Sequence, residues 1–431
     1  MGIEAQEDIP DTGSATRLPE TPCGIDPTAA SQKWNHPRSN IFRVGTTFWS
    51  FLVMGANDAA YGALIPYLEE YYNISYMVVS CVFLSPLVGY VIAALVNNKL
   101  HETVGQRGIS LIAPPFRLVA YILSCVHPPY PVLVVAYIFA GVANGLAEAA
   151  WNTYLGNMEN SNEILGLLHG VYGLGAVISP LIATNMITKA DAPWYYFYFF
   201  MIGISVIEGI ACPVFFWQFT GAAFRKAHAG ADDATGAGLK DALFKRPAAR
   251  VSWICSFLLL LYVGVEVSIG GWIVTLMRDV RNAGAFPSGM TATGFWLGIT
   301  CGRMLLGFVT ARIGERVATP IYIACSIAFS LVLWLVPNFY ASAVAVSIEG
   351  FFLGPLFPAV VVVMTKLLPK HMHVTCIGFV AAFGGAGAAV LPFVAGGIAQ
   401  GSEVKSLLPF IFAVSVGILI LWMGLPRSKK S

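Results

Sequence analysis

Charged residues are scarce in this sequence. Asp, Glu, Lys and Arg make up 11% of its 431 residues, whereas they make up about 25% of a typical soluble domain. The formal net charge is only +2, so the charge balance favours neither a nucleic-acid partner nor an acidic substrate. Because 57% of the residues are apolar, the scarcity of charge excludes an ordinary water-soluble domain.

Motifs that would mark an enzyme or a metal protein are also missing. The eight cysteines include no C-x-x-C pair, and no His and Cys residues have the spacing of metal ligands. The sequence contains no G-x-x-x-x-G-K-[ST] loop for a nucleotide and no nucleophile elbow. We therefore expect no metal site, no cofactor, no enzymatic activity and no nucleotide-driven cycle.

The sequence does contain a series of long apolar runs, and its mean hydropathy is +0.70. A bilayer core about 30 Å thick needs about 20 apolar residues per helix. We predict an all-α integral membrane protein with twelve transmembrane helices. The predicted spans, numbered 1 to 12, cover residues 44–68, 76–97, 109–127, 131–155, 165–188, 194–217, 251–277, 287–311, 319–336, 340–366, 373–399 and 407–425.

The distribution of basic residues predicts the orientation in the membrane. An even number of spans places both termini on one side, and the loops on that side hold most of the Lys and Arg. The loops on the other side hold only Lys189, Arg278, Arg281 and Lys405. By the positive-inside rule both termini are predicted to be cytoplasmic. The plasma membrane is the expected location, with an internal membrane such as the vacuolar one as the alternative.

The predicted spans divide the chain into five regions. Residues 1–42 lack an apolar run and are predicted to be a disordered cytoplasmic tail. Residues 43–217 and 251–425 are predicted to form two six-helix bundles. A cytoplasmic linker at 218–250, rich in Gly, Ala and charge, joins the bundles, and residues 426–431 form a short cytoplasmic tail.

The two predicted bundles carry the same motifs. A G-x-G-A-x-x-x-P segment ends at Pro180 in span 5 and again at Pro392 in span 11, an offset of 212 residues. Gly105 and Gly314, in the loops after spans 2 and 8, differ by 209 residues. These matches predict two parallel, pseudo-symmetric halves. The residues predicted to let helices of opposite halves pack closely and bend are Gly173, Gly175, Pro180, Gly385, Gly387 and Pro392.

This layout resembles that of the major facilitator superfamily of transporters. The Gly302-Arg303 pair followed by Arg312, Gly314 and Arg316 is similar to the cytoplasmic loop signature of that superfamily. The resemblance implies that the three arginines lie near the cytoplasmic face, where they clamp helix ends and set the balance between inward-facing and outward-facing states. It also implies that spans 1, 4, 7 and 10 line a central cavity.

One branch of the superfamily matches more closely. The G-x-x-E-x-x-x-N stretch that ends at Asn152 in span 4 resembles the fourth helix of the fucose permease family of sugar and proton symporters. Asn57-Asp58 in span 1 resembles the N-D pair of that family. Span 5, from His169 onward, resembles its fifth helix, with His169 where a glutamine is common. The resemblance runs from span 1 to span 12 and is closest to fungal members of the group.

Ionisable side chains inside the membrane are functional candidates, because a charge at a helix centre costs about 2.5–3.5 kcal/mol on insertion scales. Six stand out: Asp58, Arg117, Glu148, Glu208, Glu266 and Glu349. Asp58 and Glu148 are the proton-coupling candidates, with a structural contact as the alternative for each. Arg117 is predicted to pair with Glu208 and hold the first bundle together, and Asp58 is its alternative partner. Glu349 is predicted to be structural or to form a gate.

Other side chains are suited to holding a small polar solute. Helical spacing places Asn144, Glu148, Trp151 and Asn152 on one face of span 4. Their two amides, carboxylate and aromatic ring suit a polyhydroxylated or amphipathic ligand. The predicted substrate-binding residues are Asn57, Tyr61, Asn144, Trp151, Asn152, His169, Glu266 and Trp272.

These observations predict a secondary active transporter of a small organic solute that works by alternating access. Proton-coupled transport of a sugar or a sugar-like compound is the favoured function. Proton-driven export of a secondary metabolite or drug is the alternative, and a nontransporting membrane sensor is a more distant one. The expected partners are the lipid bilayer, a small-molecule substrate and protons, without nucleic acid, and the protein is expected to be a monomer.

Overall fold

The computed structural model describes residues 32–227, 243–245, 248–368 and 373–426. Within these ranges the secondary structure consists of helices and one isolated β-bridge between Lys33 and His36. Most of the predicted N-terminal tail, the centre of the predicted linker and residues 427–431 lie outside the described residues.

Every predicted span has a helical counterpart. Spans 1 to 6 correspond to the helices Ser39–Tyr72, Cys81–Cys125 (spans 2 and 3 together), Tyr130–Gly156, Ser161–Thr188 and Phe197–Phe216. Spans 7 to 12 correspond to Ala248–Asp279, Ala285–Ile313, Glu315–Leu335, the pair Phe339–Leu353 and Leu356–Leu367, His373–Ser402 and Leu407–Met423. Several of these helices extend past the predicted windows, because a helix satisfies its own backbone and continues into the aqueous interface.

The helix count agrees with twelve spans in the described residues. Ten stretches are long and apolar enough to cross a membrane. One of them, Tyr76–Cys125, is 50 residues long and breaks at Gly105, so it holds two spans. The helix Ser39–Tyr72, which carries the polar Asn57-Asp58 pair, provides the remaining one. The protein is therefore an all-α membrane protein, as predicted.

The internal repeat is visible in the backbone. Gly105 has φ 67° and Gly314 has φ 83°, and both are positive-φ glycines at equivalent loops of the two halves. This left-handed conformation is accessible to glycine because it has no Cβ. A Cβ at Gly105 would also lie 2.3 Å from the Phe219 carbonyl oxygen, so this loop has no room for a side chain.

The repeated glycine motif packs mostly within each half, which corrects the prediction that it joins the halves. A Cβ at Gly175 would lie 2.1 Å from the Leu52 carbonyl oxygen of span 1, and one at Gly387 would lie 1.9 Å from the Leu260 carbonyl oxygen of span 7. Each glycine thus brings two helices of its own bundle together. Gly173 faces Thr300 of the other half, whereas Gly385 meets no atom within 4 Å.

The first part of the predicted linker is helical. The helix Gly221–Ala227 docks on the loop between spans 2 and 3, where a Cβ at Gly221 would lie 2.3 Å from the Thr103 carbonyl oxygen. The Arg107 guanidinium stacks 3.5 Å from the centroid of the Trp217 ring, and the Arg107 backbone N–H donates to the Phe219 carbonyl. This segment belongs to the first bundle and is not a free linker.

The two halves touch at one end of the bundles. We call this the far end, and the opposite end, where the helices begin at Ser39 and finish at Met423, the termini end. At the far end the Gly62 position of span 1 would place a Cβ 1.9 Å from the Gly270 carbonyl oxygen of span 7. The Tyr76 hydroxyl donates to Asp279 at 2.8 Å across the same junction.

The halves separate toward the termini end. Gly166, Gly170 and Gly173 share one face of span 5 by helical spacing. Gly173 packs against Thr300 of the second half, but a Cβ at Gly170 or Gly166 would meet nothing within 4 Å. Span 11 behaves alike, since Gly396 packs against Ser80 near the far end while Gly385 faces open space. The structure is thus closed at the far end and open at the termini end.

Replacing Gly62 should disturb the closed far end. In Gly62→Ala the added Cβ would meet the Gly270 backbone at 1.9 Å, and a backbone atom cannot move aside as a flexible side chain can. We expect the population to shift toward states in which the far end is open. Spin labels at Asp191 and Glu403, in the loops after spans 5 and 11, should report a longer mean distance.

The matched control is Gly203→Ala, because a Cβ at Gly203 meets no atom within 4 Å. This variant should leave the distance distribution unchanged. A Gly62→Ala distribution equal to that of the wild type would show that spans 1 and 7 do not need their close contact.

Candidate functional site

The Asp58 carboxylate is the centre of a polar site at the middle of span 1. Its Oδ1 accepts hydrogen bonds from Asn57 Nδ2 at 2.9 Å and from Asn144 Nδ2 at 3.1 Å. Its Oδ2 accepts one from the Tyr172 hydroxyl at 3.0 Å. Spans 1, 4 and 5 meet here because Gly55 has no side chain, since a Cβ there would lie 2.0 Å from the Tyr172 carbonyl oxygen.

A buried ion pair lies behind Asp58. The structure brings Arg117 of span 3 and Glu208 of span 6 into direct contact, with relative side-chain exposures of 0% and 1%. Arg117 Nε also donates to Asn144 Oδ1 at 3.0 Å, so the guanidinium reaches Asp58 only through the Asn144 amide. Arg117 therefore neutralises Glu208 and positions Asn144, and it is not a salt-bridge partner of Asp58.

Two predicted substrate contacts belong to this buried network. Ser50 Oγ donates to Glu208 Oε1 at 2.5 Å and accepts from Trp151 Nε1 at 3.0 Å. Trp151 is 1% exposed and Asn144 is 0% exposed. Their polar atoms are used within the first bundle, which places both inside the protein and not on a cavity wall.

Tyr61 and Asn57 are buried in the same way. Tyr61 is 5% exposed and packs edge-to-face on Tyr137, with ring centroids 5.2 Å apart. Asn57 Oδ1 accepts from the Tyr121 hydroxyl at 3.1 Å, and its Nδ2 also lies 3.3 Å from the Tyr61 hydroxyl. These residues orient Asp58 from the side of the far end, which is buried and which substrate does not reach in this conformation.

Glu148 lies one layer closer to the termini end on span 4. Its carboxylate is partly exposed and interacts with the Tyr90 hydroxyl and, through space, with Asp58. Asn152 is partly exposed, and its Nδ2 donates to the Glu148 backbone carbonyl at 2.9 Å. Among the four residues predicted to share one face of span 4, Glu148 and Asn152 are the two that keep access to the space between the halves.

The second half contributes an ion pair at mid-membrane depth. Arg303 Nη2 of span 8 lies 3.3 Å from Glu266 Oε1 of span 7, and Arg303 Nε donates to the Gly354 carbonyl at 3.2 Å. Ten residues separate Arg303 from the end of its helix at Ile313. The prediction that Arg303 lies at the cytoplasmic face is therefore wrong, because its partner Glu266 lies in the membrane interior.

The other two signature arginines are at the termini end. Arg312 is exposed, and Arg316 donates to the Pro426 backbone carbonyl. Glu315, between them, pairs with Lys366 Nζ at 2.6 Å. These contacts join spans 9, 10 and 12 at their ends, which is the geometry of a helix clamp.

His169 and Tyr172 of span 5 face the second half. The His169 ring stands edge-on to Phe51 at 5.5 Å and 6.3 Å from Phe357 of span 10, so it touches both halves. Tyr172 interacts through space with Glu266 and Arg303. Tyr172 was not among the predicted site residues, although its position three residues after His169 on the same helical face was a usable signal.

Trp272 and Glu349 lie apart from this site. Trp272 is 1% exposed, and its Nε1 donates to the Pro392 carbonyl at 2.9 Å, so it supports the packing of spans 7 and 11. Glu349 of span 10 is 0% exposed, and neither carboxylate oxygen has a hydrogen-bond partner among the described residues. Neither side chain borders the space between Asp58 and Glu266.

Apart from Glu349, the intramembrane carboxylates fall into two groups. Glu208 and Glu266 each pair with an arginine. Asp58 and Glu148 face the region between the halves, and neither forms an ion pair with a described residue. A carboxylate in the membrane interior without a cation is stabilised by taking up a proton. Asp58 and Glu148 are therefore the groups in this site best placed to bind and release protons.

Comparison with known proteins agrees with the fold. A sequence model of the family described as Major Facilitator Superfamily matches residues 47–327 and 282–431. Bypass of stop codon protein 6 of Saccharomyces cerevisiae is 29% identical over 411 residues, which cover 88% of this chain and 81% of the yeast protein. The Glucose/mannose transporter GlcP of Bacillus subtilis is 22% identical over 344 residues, which cover 78% of this chain and 83% of that transporter.

Two solved structures share the architecture. The crystal structure of a D-xylose-proton symporter superposes with a TM-score of 0.71 at 12% identity, covering 90% of this chain and 99% of the symporter. A variant of the nucleoside transporter NupG superposes with a TM-score of 0.70 at 13% identity, covering 90% and 100%. At these identities the likeness shows the shared fold alone.

Proposed function

Because this chain belongs to the major facilitator superfamily, whose members carry out secondary transport of small solutes, we propose that it is a proton-coupled transporter of a sugar-like compound. The observation that carries the proton coupling is the pair of carboxylates, Asp58 and Glu148, that no cation neutralises between the halves. The similarity to the Bacillus glucose/mannose transporter favours a sugar-like solute.

The proposed cycle uses the two ends of the molecule in turn. The solute binds between Glu148, Asn152 and His169 of the first half and Glu266 of the second. Protonation of Asp58 or Glu148 removes a buried charge, which lowers the cost of closing the site around a neutral solute. The halves then rock about the mid-membrane contact of spans 5 and 8, and the proton and solute leave at the opened end.

The finer assignments extend this proposal. We place the chain in the fucose permease-like group, near its fungal members, on the motifs of spans 1, 4 and 5. Its proposed setting is the plasma membrane, as a monomer with both termini in the cytoplasm. The termini end is then cytoplasmic, and a structure that is open at this end is inward-facing.

A reconstitution experiment tests the proposal directly. In liposomes containing a pH dye, the wild-type protein should acidify the lumen when D-glucose, D-mannose or D-xylose is added outside. Glu148→Gln should abolish most of the sugar-dependent proton flux, because an amide cannot bind and release a proton at these pH values. The change removes a titratable group but keeps the shape and hydrogen bonding of the side chain.

The matched control is Glu70→Gln, because Glu70 is an exposed carboxylate at the far end of span 1. Its flux should equal that of the wild type. Undiminished proton flux in Glu148→Gln would contradict the assignment of Glu148. If no sugar acidified the lumen and amphipathic compounds showed proton-driven efflux, metabolite export would replace the proposed function.

A further inference from the structure

The two oxygens of the Asp58 carboxylate are not equivalent. Oδ1 accepts two amide N–H groups, from Asn57 at 2.9 Å and from Asn144 at 3.1 Å. Among the described residues, Oδ2 accepts a hydrogen bond only from the Tyr172 hydroxyl, at 3.0 Å. An oxygen that already receives two N–H donors is a poor place for a further hydrogen.

Neither amide can rotate to relieve this arrangement. Asn144 Oδ1 accepts from Arg117 Nε at 3.0 Å, and Asn57 Oδ1 accepts from the Tyr121 hydroxyl at 3.1 Å. Turning Asn144 over would set its N–H groups against the Arg117 donor, and turning Asn57 over would set its carbonyl oxygen against Asp58 Oδ1. Each leaves buried polar groups unsatisfied, which costs about 1–3 kcal/mol. A proton that binds Asp58 must therefore sit on Oδ2, the oxygen that faces Tyr172.

Tyr172 is also the residue of this network that faces the second half. The next residue, Gly173, packs so closely on span 8 that a Cβ would lie 2.6 Å from Thr300 Oγ1. Thr300 lies one helical turn before Arg303, whose Nη2 is 3.3 Å from Glu266 Oε1. Tyr172 interacts through space with both members of that ion pair. The Tyr172 hydroxyl thus lies on the side of the Asp58 site that faces this ion pair, which Tyr262 of span 7 also contacts.

We propose that the Tyr172 hydroxyl is a hydrogen-bond switch that reports the protonation of Asp58 to the Glu266–Arg303 pair. When Asp58 is ionised, Tyr172 donates its hydrogen to Oδ2. When Oδ2 carries a proton, Oδ2 becomes the donor and the Tyr172 oxygen the acceptor. The hydroxyl hydrogen of Tyr172 then turns toward the second half, where Glu266 is the facing carboxylate, and competes with Arg303 for it. This inference rests on the proposed proton coupling.

Several other charged or titratable groups face this contact. Those in the first half are Tyr61, Tyr90, Arg117, Tyr121, Glu148 and His169, and those in the second half are Tyr262, Glu266 and Arg303. Arg117 is held by Glu208. Glu148 and His169 also titrate, so the test needs a variant that removes only the hydroxyl of Tyr172.

The test measures conformation and not transport. Spin labels attached through unnatural amino acids at Asn157 and Thr365, at the termini ends of spans 4 and 10, report the opening between the halves. We expect the wild-type distance distribution to shift between mildly acidic and mildly alkaline pH. Tyr172→Phe keeps the ring but lacks the hydroxyl, so its distribution should not respond to pH.

Two further variants sharpen the result. Tyr198→Phe is the matched control, because the Tyr198 hydroxyl bonds the Tyr137 hydroxyl inside the first bundle at 2.6 Å and makes no hydrogen bond to Asp58 or its amide partners, and it should keep the wild-type pH response. Asp58→Asn places an amide donor opposite Tyr172 and should hold the distribution at its acidic position at every pH. In the double variant Asp58→Asn/Tyr172→Phe, the distance distribution should no longer be held at its acidic position.

The outcomes separate this inference from the proposed function. A Tyr172→Phe distribution that follows pH like the wild type would overturn the switch and leave proton coupling standing. Loss of the pH response in Tyr198→Phe as well would also overturn it, since the effect would then belong to the buried tyrosines of the first bundle in general. A wild-type distribution that ignores pH would overturn the coupling itself, and with it the switch.

Discussion

Arg117→Met should cause a severe loss of folded protein. Arg117 and Glu208 are both almost fully buried and in direct contact, and Arg117 also donates to Asn144. Removing the cation leaves Glu208 as an unpaired charge inside the membrane, and breaking a buried pair in this way costs about 3–5 kcal/mol. The yield after detergent extraction and the melting temperature should both fall steeply.

The double variant Arg117→Met/Glu208→Met distinguishes charge from packing. It removes both charges at once, and replacing a buried ion pair by apolar side chains of similar volume is often close to neutral. We expect it to recover most of the melting temperature lost in Arg117→Met. Arg312→Met, at an exposed arginine, should melt like the wild type. If Arg117→Met had the same melting temperature as Arg312→Met, this result would contradict a stabilising role for the Arg117–Glu208 pair.

Asp58→Asn should abolish proton-driven accumulation while leaving downhill exchange intact. A gradient of one pH unit supports at most about tenfold accumulation for one proton per solute, because one unit corresponds to about 1.4 kcal/mol. An amide at position 58 has no proton to give or take, so the accumulation ratio should fall to unity. The Asn57, Asn144 and Tyr172 contacts that position the side chain can be kept.

The measurement compares two modes in the same proteoliposomes, with radiolabelled D-glucose and D-xylose as probes. One mode is uptake driven by a pH gradient, and the other is exchange of labelled for unlabelled sugar at equal pH. Glu349→Gln is the control, because Glu349 is a buried intramembrane carboxylate away from the site, and it should keep both modes. Loss of exchange and accumulation together in Asp58→Asn would make Asp58 a structural or sugar-binding residue and not a coupling residue.

Local pattern was sufficient for the parts of this protein that depend on length and polarity. The twelve apolar windows predicted twelve helical counterparts, because a lipid core allows a backbone little choice except a helix of about 20 residues. The offset between Gly105 and Gly314 predicted the repeat, and both glycines have positive φ in the structure. The superfamily follows from the same features and is shown by the match to its sequence model.

Helix periodicity also predicted the correct region of span 4 for the site, but it did not predict which side chains of that region stay exposed. One face of span 4 carries Asn144, Glu148, Trp151 and Asn152. Spans 1, 3 and 6 cover the part of this face that holds Asn144 and Trp151. Trp151 therefore binds Ser50, and Asn144 binds Asp58 and Arg117. Of these four residues, only Glu148 and Asn152 remain partly exposed. How far a neighbouring helix covers a face depends on its tilt, which periodicity does not encode.

The membrane class, the number of helices, the two-fold repeat and the identity of the intramembrane charges all follow from the order of the amino acids. The Arg117–Glu208 pair, across 91 residues of chain, was predicted from the sequence. The pairing of Arg303 with Glu266, across 37 residues, was not, and it follows from packing alone. Packing also brings Tyr172 of span 5 onto Asp58 of span 1, 114 residues away. The reason is that lipid acts on each helix separately through its own apolar length, whereas a hydrogen bond between two helices depends on their relative rotation and depth.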